Sequence, residues 1–249
     1  RIWKLKSRTD LINYAKKHSI PIPKDRKGAP PFSVDDNLFH TSTEGKVLEN
    51  PKNSAPEFIF QRTTSPEKAP NKPTFVEINF KSGDPVGINK KKLQPSKLLE
   101  KLNLLAGKNG IGRVDLVENR FLGIKSRGVY ETPGGTLLIH AHRAIESVTL
   151  DKDTMHKKDK IMPKYAELIY NGFWYSKERF KLQKIVDLKK NKVNGSVKLK
   201  LYKGNVTIES RITNSKAYST KRVSFEENRS FNKSNVEKFI NFHKKKLRN

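Results

Sequence analysis

Apolar and polar positions alternate along two parts of the chain in the way that half-buried strands require. Positions 193–212 contain the run VKLKL, and Lys203-Gly204-Asn205 divides this stretch into two halves, which predicts a hairpin. Positions 74–80 alternate in the same way, and the turn sequence SGDP directs the chain back to a short partner at 86–89. The lysines of these strands are expected to face solvent while the aliphatic residues are buried.

A spacing of three and four residues predicts helices elsewhere. Ser7 is a suitable N-cap for a first helix, with Asp10 three residues later. A helix beginning at Pro95 has an apolar face of Leu98, Leu99, Leu102 and Leu105. Further helices are predicted over 136–150, over 152–190 with an interruption near Asn171-Gly172, and from about Ser234 to Leu247.

These elements predict an α+β fold in which antiparallel strand pairs are interleaved with segregated helices. The last helix follows a polar stretch and has one apolar stripe, formed by Val236, Phe239, Ile240, His243 and Leu247. Such a short stripe indicates either an arm that reaches a partner surface or a helix that docks on its own domain. We expect an oligomerisation arm, and the docked helix remains the alternative.

The chain of 249 residues carries 52 Lys and Arg against 25 Asp and Glu, a net charge of +27. This excess attracts polyanions, so a basic nucleic-acid-binding or scaffold protein is the competing interpretation. The basic residues are spread along the whole sequence, however, and no nucleic-acid-binding motif occurs. The chain has no cysteine and no apolar run long enough for a membrane span. We therefore expect a cytoplasmic protein without specific nucleic-acid or membrane partners.

The stretch VDLVENRFLGIKSRGVYETPGGT at 114–136 has the richest candidate chemistry. It begins as a strand, and Glu118 stands at the strand end, where a side chain can face a cleft. His140 and His142 are two residues apart on a predicted helix and cannot ligate one ion together, so no metal site is predicted. The aromatic run at 173–175 is expected in the core rather than at a ligand.

Several long segments in the same order resemble argininosuccinate synthase. They are SRTDLINYAKKHSIPIP at 7–23, FSVDDNLFHTSTEGKVLENP at 32–51, the stretch 114–136, KYAELIYNGFWYS at 164–176 and LKLYKGNV at 199–206. The resemblance implies that Ser33, Ser42, Glu118 and Tyr130 contact citrulline. It identifies no catalytic residue in this chain.

The resemblance also implies ATP-dependent ligation of citrulline and aspartate to argininosuccinate in a cytoplasmic homotetramer, with ATP and magnesium as co-substrate. The Ser-Gly-Gly-x-Asp loop that binds ATP in this family is absent from the sequence. The simplest interpretation is the C-terminal portion of a longer enzyme, with no tightly bound cofactor and no activity alone. It implies a citrulline-binding synthetase domain at 1–212 and an oligomerisation arm at 213–249.

Overall fold

The computed structural model of the chain describes residues 2–22, 32–219 and 233–246. Within these ranges the strands form two antiparallel sheets and the helices lie in separate stretches of sequence, which confirms the predicted α+β class. None of the described helices is both long and apolar enough to cross a membrane. The proline-rich loop predicted after the first helix lies largely outside the described residues, as does Leu247.

The first sheet has four strands in the order β1-β2-β7-β6. Its strands are β1 (Ser33–Asp36), β2 (Thr41–Glu44), β6 (Arg113–Asn119) and β7 (Lys125–Glu131). The β1–β2 hairpin lies in a stretch for which the sequence predicted no regular element. Thr41, Ser42 and Thr43 are all buried, so β2 lacks the apolar alternation that reveals most strands.

The second sheet has five strands in the order β5-β4-β3-β8-β9. Its strands are β3 (Thr74–Lys81), β4 (Asp84–Ile88), β5 (Lys91–Lys92), β8 (Gly195–Tyr202) and β9 (Asn205–Ile212). Both hairpins predicted from alternation are confirmed. Val197, Leu199 and Leu201 are fully buried, whereas Lys198 between them is exposed, as expected for a half-buried strand.

The described helices correspond closely to the predicted ones. They are α1 (Arg8–Lys17), α2 (Pro95–Lys108), α3 (Pro133–Thr149), α4 (Lys152–Tyr170), α5 (Lys177–Val186) and α6 (Lys233–Lys246), with short 3-10 turns at Lys46–Glu49, Glu57–Ile59 and Lys190–Lys192. Ser7 and Asp10 form a reciprocal capping box at the start of α1. The helix α3 begins at Pro133, three residues before its predicted start, because proline suits the first turn of a helix.

The chain divides into two compact units. The first contains Arg1–Ile78, Pro85–Ala141 and Lys198–Glu209, and the second contains Asn79–Asp84, His142–Val197 and Ser210–Asn249. The first unit has an apolar cluster of Leu48, Ile59 and Val129, against which Phe32, Ala55 and Phe60 pack. The predicted boundary at 212/213 separates a citrulline-binding domain from an oligomerisation arm. This boundary stays a prediction.

A buried ion pair joins two helices of the second unit. Glu146 of α3 and Lys158 of α4 are 4% and 5% exposed, and the lysine donates a hydrogen bond to the carboxylate. His142 Nδ1 lies 3.6 Å from the same carboxylate. Burial raises the pKa of Glu146, but the hydrogen bonds and positive charges of His142 and Lys158 outweigh it and lower the pKa to about 2. This carboxylate is ionised and has a structural role.

The prediction that the aromatic run at 173–175 lies in the core is wrong. Phe173, Trp174 and Tyr175 are 45%, 48% and 86% exposed. They follow the end of α4, where Asn171 and Gly172 turn the chain toward α5. The guanidinium of Arg179 lies 4.5 Å from the centre of the Trp174 ring. One face of the Trp174 ring is thus covered by a cation–π contact with Arg179 and not by the apolar core.

Candidate functional site

The register of the first sheet places the four predicted site residues on one face. Ser42 of β2 lies directly opposite Tyr130 of β7. Ser42 also lies opposite Asp35 of β1, so Ser33, two residues earlier, shares its face. Tyr130 lies opposite Val114 of β6, and Glu118 is four residues further along the same strand. Side chains alternate between faces with a period of two, so all four point to the same side, which we call the binding face.

A hydrogen bond joins two of the four residues. The hydroxyl of Tyr130 donates to Oε1 of Glu118, although these residues are not paired across the hairpin. Glu118 is paired with Ser126, so the phenol must extend along its own strand to reach the carboxylate. The ring of His40 lies 5.9 Å from the ring of Tyr130. The binding face therefore presents a carboxylate and a phenol together, beside a half-buried aromatic surface.

The two serines occupy different positions on this face. Ser42 is only 6% exposed and lies on the strand next to Tyr130. Ser33 is exposed on the edge strand β1, three strands away from Glu118 on the opposite edge. With neighbouring strands about 4.8 Å apart, their backbones are about 14 Å apart. Ser33 and Glu118 therefore bound the face from opposite sides, and the structure does not bring them together.

An ion pair that the sequence did not reveal lies on the same face. One guanidinium nitrogen of Arg120 contacts both carboxylate oxygens of Glu44, at 2.9 and 2.8 Å. The same nitrogen lies 3.2 Å from the hydroxyl of Ser126. Glu44 is on the binding face because it lies opposite Ser33. The register of the two hairpins alone would place Glu44 and Ser126 on this face. The contact between Arg120 and Glu44 could not be predicted from the sequence, because 76 residues separate them.

The opposite face of the sheet, which we call the packing face, carries a second glutamate in a different environment. Glu131 is 3% exposed and accepts hydrogen bonds from the backbone N–H groups of Gln61, Arg62 and Thr63 at 2.8, 3.0 and 2.8 Å. The hydroxyl of Thr63 adds a fourth, at 2.6 Å. This carboxylate fixes the segment before β3 onto the sheet.

Two arginines of the packing face also hold loops in place. Arg113 donates to both carboxylate oxygens of Glu57, at 2.7 and 2.8 Å, and its hydrogen bonds hold the pKa of that carboxyl below its usual value. Arg127 contacts both oxygens of Asp115, at 2.8 and 2.6 Å, and lowers the pKa of Asp115 in the same way. Both guanidinium groups are largely buried, whereas their carboxylate partners are half-exposed.

Arg127 has additional partners in the segment after β2. Its Nη1 approaches the carbonyl oxygens of Leu48, Asn50 and Asn53, at 3.4, 3.3 and 2.9 Å. The guanidinium therefore holds together a turn that is also closed by the hydrogen bond from the N–H of Asn53 to the carbonyl of Asn50. Both faces of β7 are polar, but on this face the polar groups satisfy one another.

A cluster of metal ligands is absent from the described residues, and the phosphate-binding loop of the resembled family is absent from the sequence. No group of three or more His, Cys, Asp or Glu among them is arranged to hold a metal ion. The full sequence has no Ser-Gly-Gly-x-Asp loop, whose backbone N–H groups would surround phosphates. The binding face instead offers carboxylate, phenol and hydroxyl groups, which suit an amino-acid ligand with both a cationic and an anionic end.

Comparison with known proteins supports the resemblance found in the sequence. Residues 32–249 match the family model described as "Arginosuccinate synthase C-terminal domain". The chain belongs to the argininosuccinate synthase family. Argininosuccinate synthase of Pelagibacter ubique is 83% identical over 248 residues, which is all of this chain and 63% of that protein. The family membership predicted from the sequence segments is therefore confirmed.

More distant relatives give the same result. The argininosuccinate synthase of Mesorhizobium japonicum is 56% identical over 249 residues, covering 100% of this chain and 61% of that protein. That of Parvibaculum lavamentivorans is 59% identical over 227 residues, covering 91% of the chain and 55% of the protein. The chain thus spans less than two thirds of the length of these curated relatives.

Proposed function

We propose that this chain is the citrulline-holding part of an argininosuccinate synthase, a carbon–nitrogen ligase of arginine biosynthesis in the cytoplasm. The observation that carries the proposal is the Tyr130–Glu118 hydrogen bond on the binding face, with Ser42 opposite Tyr130. These residues stand in the segments whose sequence resembles the citrulline-binding segments of the family. The absence of cysteine suits a reducing compartment.

Each site residue has a role that its chemistry allows. The carboxylate of Glu118 pairs with the cationic amine of citrulline in a charge-assisted contact. The phenol of Tyr130 forms hydrogen bonds with a polar end of the ligand while its ring packs on the methylene stem. The hydroxyls of Ser33 and Ser42 both donate and accept, and they hold the remaining polar groups. Together these contacts fix the direction in which the ureido group points.

The reaction that this orientation would serve is a two-step ligation. The ureido oxygen of citrulline attacks the α-phosphorus of ATP, the bond to the β-phosphate oxygen breaks, and pyrophosphate leaves. The amine of aspartate then attacks the ureido carbon and displaces AMP, which gives argininosuccinate after loss of a proton. Adenylylation makes the ureido oxygen a good leaving group, so positioning and charge stabilisation account for the protein's contribution.

We assign the ATP and magnesium contacts to the part of the relatives that this chain does not cover. The sequence lacks the Ser-Gly-Gly-x-Asp loop that binds ATP in this family. The family resemblance implies that most of the aspartate contacts lie in the same part. The competing interpretation, a basic nucleic-acid-binding or scaffold protein, rests on the net charge of +27 alone and is not favoured by the family match.

An activity assay tests this assignment. We expect the chain alone to make no argininosuccinate from citrulline, aspartate and ATP. A composite polypeptide, in which the chain is joined to the part of the Pelagibacter ubique synthase that it does not cover, should restore synthesis. Glu118→Gln should reduce the activity of the composite polypeptide. Synthesis by the chain alone that Glu118→Ala abolishes would overturn the assignment of the ATP contacts.

We propose further that the polypeptide is a homotetramer to which α6 contributes an arm. Val236, Phe239 and Ile240 are 36%, 64% and 56% exposed on this helix. His243 and Leu247 complete the predicted stripe but lie beyond what the structure describes of side chains. Exposed apolar residues at helical spacing support contact with a partner surface.

Light scattering on the composite polypeptide tests the arm. Deletion of residues 234–249 should lower the assembly mass, because the apolar stripe is removed. Neutral substitution of the cluster of basic residues at the end of α6 is the control and should leave the mass nearly unchanged. These residues are Lys244, Lys245, Lys246 and Arg248. A deletion variant with the full assembly mass would show that the helix docks within its own chain.

A further inference from the structure

Gly128 lies in the middle of β7, where a glycine weakens a strand. Its backbone does not adopt a positive φ, so the local conformation is open to any residue. Glycine at such a position costs about 0.5–1 kcal/mol relative to alanine, because the unfolded chain has more conformations to lose. The backbone geometry of β7 therefore gives no reason for glycine at this position.

The ring of Tyr130 accounts for the glycine. A Cβ atom built on Gly128 would lie 2.7 Å from Cε2, 3.0 Å from the hydroxyl oxygen and 3.1 Å from Cζ of Tyr130. Non-bonded carbon atoms pack at about 3.5–4.0 Å. The hydroxyl end of the Tyr130 ring thus lies over the bare backbone of Gly128, in space that a methyl group would take.

Other glycines of this unit have a different cause. A Cβ on Gly107 would lie 2.2 Å from the backbone oxygen of Arg62, so close packing of two backbone segments requires that glycine. At Gly128 the three nearest atoms all belong to the end of one half-buried side chain, which can adopt another rotamer. A methyl group at position 128 would therefore displace the ring rather than disrupt the fold.

The displaced ring would lose its partner on the binding face. Tyr130 reaches Glu118 because its phenol extends along β7, over Gly128, toward the position paired with Glu118. We propose that Gly128 is a positioning residue for citrulline: its missing side chain leaves room for the Tyr130 ring, which can then place its hydroxyl at Glu118. This inference rests on the proposed function, because it gives Gly128 a role through two proposed citrulline contacts.

A double-mutant cycle in the composite polypeptide tests the inference, with the dissociation constant of radiolabelled citrulline as the readout. Gly128→Ala should weaken binding about tenfold, the loss expected for one hydrogen bond to a charged group. Tyr130→Ala should weaken it at least as much. The dissociation constant of the double variant should lie within about twofold of that of Tyr130→Ala. The new methyl group has no effect there, because the ring atoms of Tyr130 that it would meet are absent.

Val117→Ala is the matched control, since Val117 lies on the same hairpin but on the packing face and is 50% exposed. It should leave citrulline binding unchanged. Additive losses in the cycle, or unchanged binding in Gly128→Ala, would overturn the role of Gly128 alone. Unchanged binding in Tyr130→Ala would overturn the proposed site, and the inference with it.

Thermal unfolding of the same variants separates positioning from a general loss of structure. We expect Gly128→Ala and the double variant to melt within a few degrees of the parent, since alanine favours the strand backbone. If Gly128→Ala alone fails to fold while the double variant folds, the methyl group disrupts the whole hairpin through Tyr130. That result would also overturn a role limited to positioning.

Discussion

The two faces of the four-stranded sheet carry glutamates of opposite character on neighbouring strands. On the packing face, Glu131 is 3% exposed and its carboxylate accepts four hydrogen bonds from residues 61–63. On the binding face, Glu118 is half-buried and receives the hydroxyl of Tyr130. Their identity and strand context are the same, so the difference lies in what the fold brings to each carboxylate.

Burial separates the two roles, because Glu131 is enclosed among backbone N–H donors whereas Glu118 is only half-buried. The carboxylate of Glu131 accepts three hydrogen bonds at Oε1 and one at Oε2. A ligand could reach this buried carboxylate only by displacing backbone N–H groups, and that of Thr63 would then be buried without a partner. Glu118 instead lies where a ligand could replace the phenol of Tyr130 or bind beside it. We infer that Glu131 has a structural role and that Glu118 lies where a ligand can reach it.

The largest expected effect is on the packing face. Glu131→Gln should lower the free energy of unfolding by about 3 kcal/mol, because the amide cannot accept all four hydrogen bonds and its own N–H₂ group faces other donors. Urea unfolding of the chain measures this change. The citrulline affinity of the composite polypeptide, determined where it is fully folded, should stay unchanged.

Glu209→Gln is the matched control for this experiment. Glu209 is an exposed glutamate on β9, so its substitution should change the unfolding free energy by less than about 0.5 kcal/mol. If Glu131→Gln were as mild as Glu209→Gln, the hydrogen bonds from residues 61–63 would not hold the segment. The distinction between the two faces would then lose its energetic basis.

The next effect is on the binding face and should appear in affinity. Glu118→Gln should weaken citrulline binding to the composite polypeptide by about 1.5–3 kcal/mol, because a charge-assisted contact becomes a neutral one. Tyr130→Phe should cost less, about 1 kcal/mol, since only the hydroxyl is removed. Equilibrium dialysis with labelled citrulline gives both values.

Neither substitution should lower the free energy of unfolding by more than about 1 kcal/mol, since both residues are only partly buried. Unchanged citrulline binding in both variants would show that the site lies elsewhere. A large loss of stability with unchanged affinity would assign Glu118 to the structural class of Glu131. The comparison between the two faces would then be reversed.

Regular elements with strong periodicity were predictable from the sequence. The strands β3, β8 and β9 alternate, and α2 has an apolar face, so local pattern was sufficient. The hairpin of β1 and β2 was missed because its central residues are short and polar on both faces. Burial of Thr41 and Thr43 comes from the neighbouring strand and the packed segment after β2, which a single-sequence pattern does not contain.

The site was predictable only through the resemblance of its segments to a family. Composition and spacing singled out the stretch at 114–136, but not which of its charged residues share a face. Glu118 and Tyr130 meet because the hairpin register is fixed by its turn, and Arg120 meets Glu44 across 76 residues. The structural role of Glu131 could not be predicted from the sequence, because its partners are backbone N–H groups 68 to 70 residues away.

The smallest expected effect is the loss of a partly exposed ion pair on the packing face. It tests whether solvent exposure reduces the contribution of a carboxylate to the free energy of unfolding. Asp115 pairs with Arg127, but its side chain is 44% exposed, so solvent screens the pair. Asp115→Asn should therefore lower the free energy of unfolding by only about 0.5–1 kcal/mol at neutral pH. Arg127 keeps its carbonyl partners in the variant, which limits the loss.

The pH dependence of this difference has a definite sign. Arg127 lowers the pKa of Asp115 in the folded chain below its usual value, so the stabilisation is fully present above the unfolded-state pKa near 4. It is lost as the pH falls through the lower folded-state value, where the aspartate becomes protonated. Urea unfolding of parent and variant should therefore differ at pH 6 and converge once the pH falls below the folded-state pKa of Asp115. A difference in unfolding free energy that persisted at low pH would come from the packing of Asp115 rather than from its charge. Solvent exposure alone would then not explain why the packing face differs from the binding face.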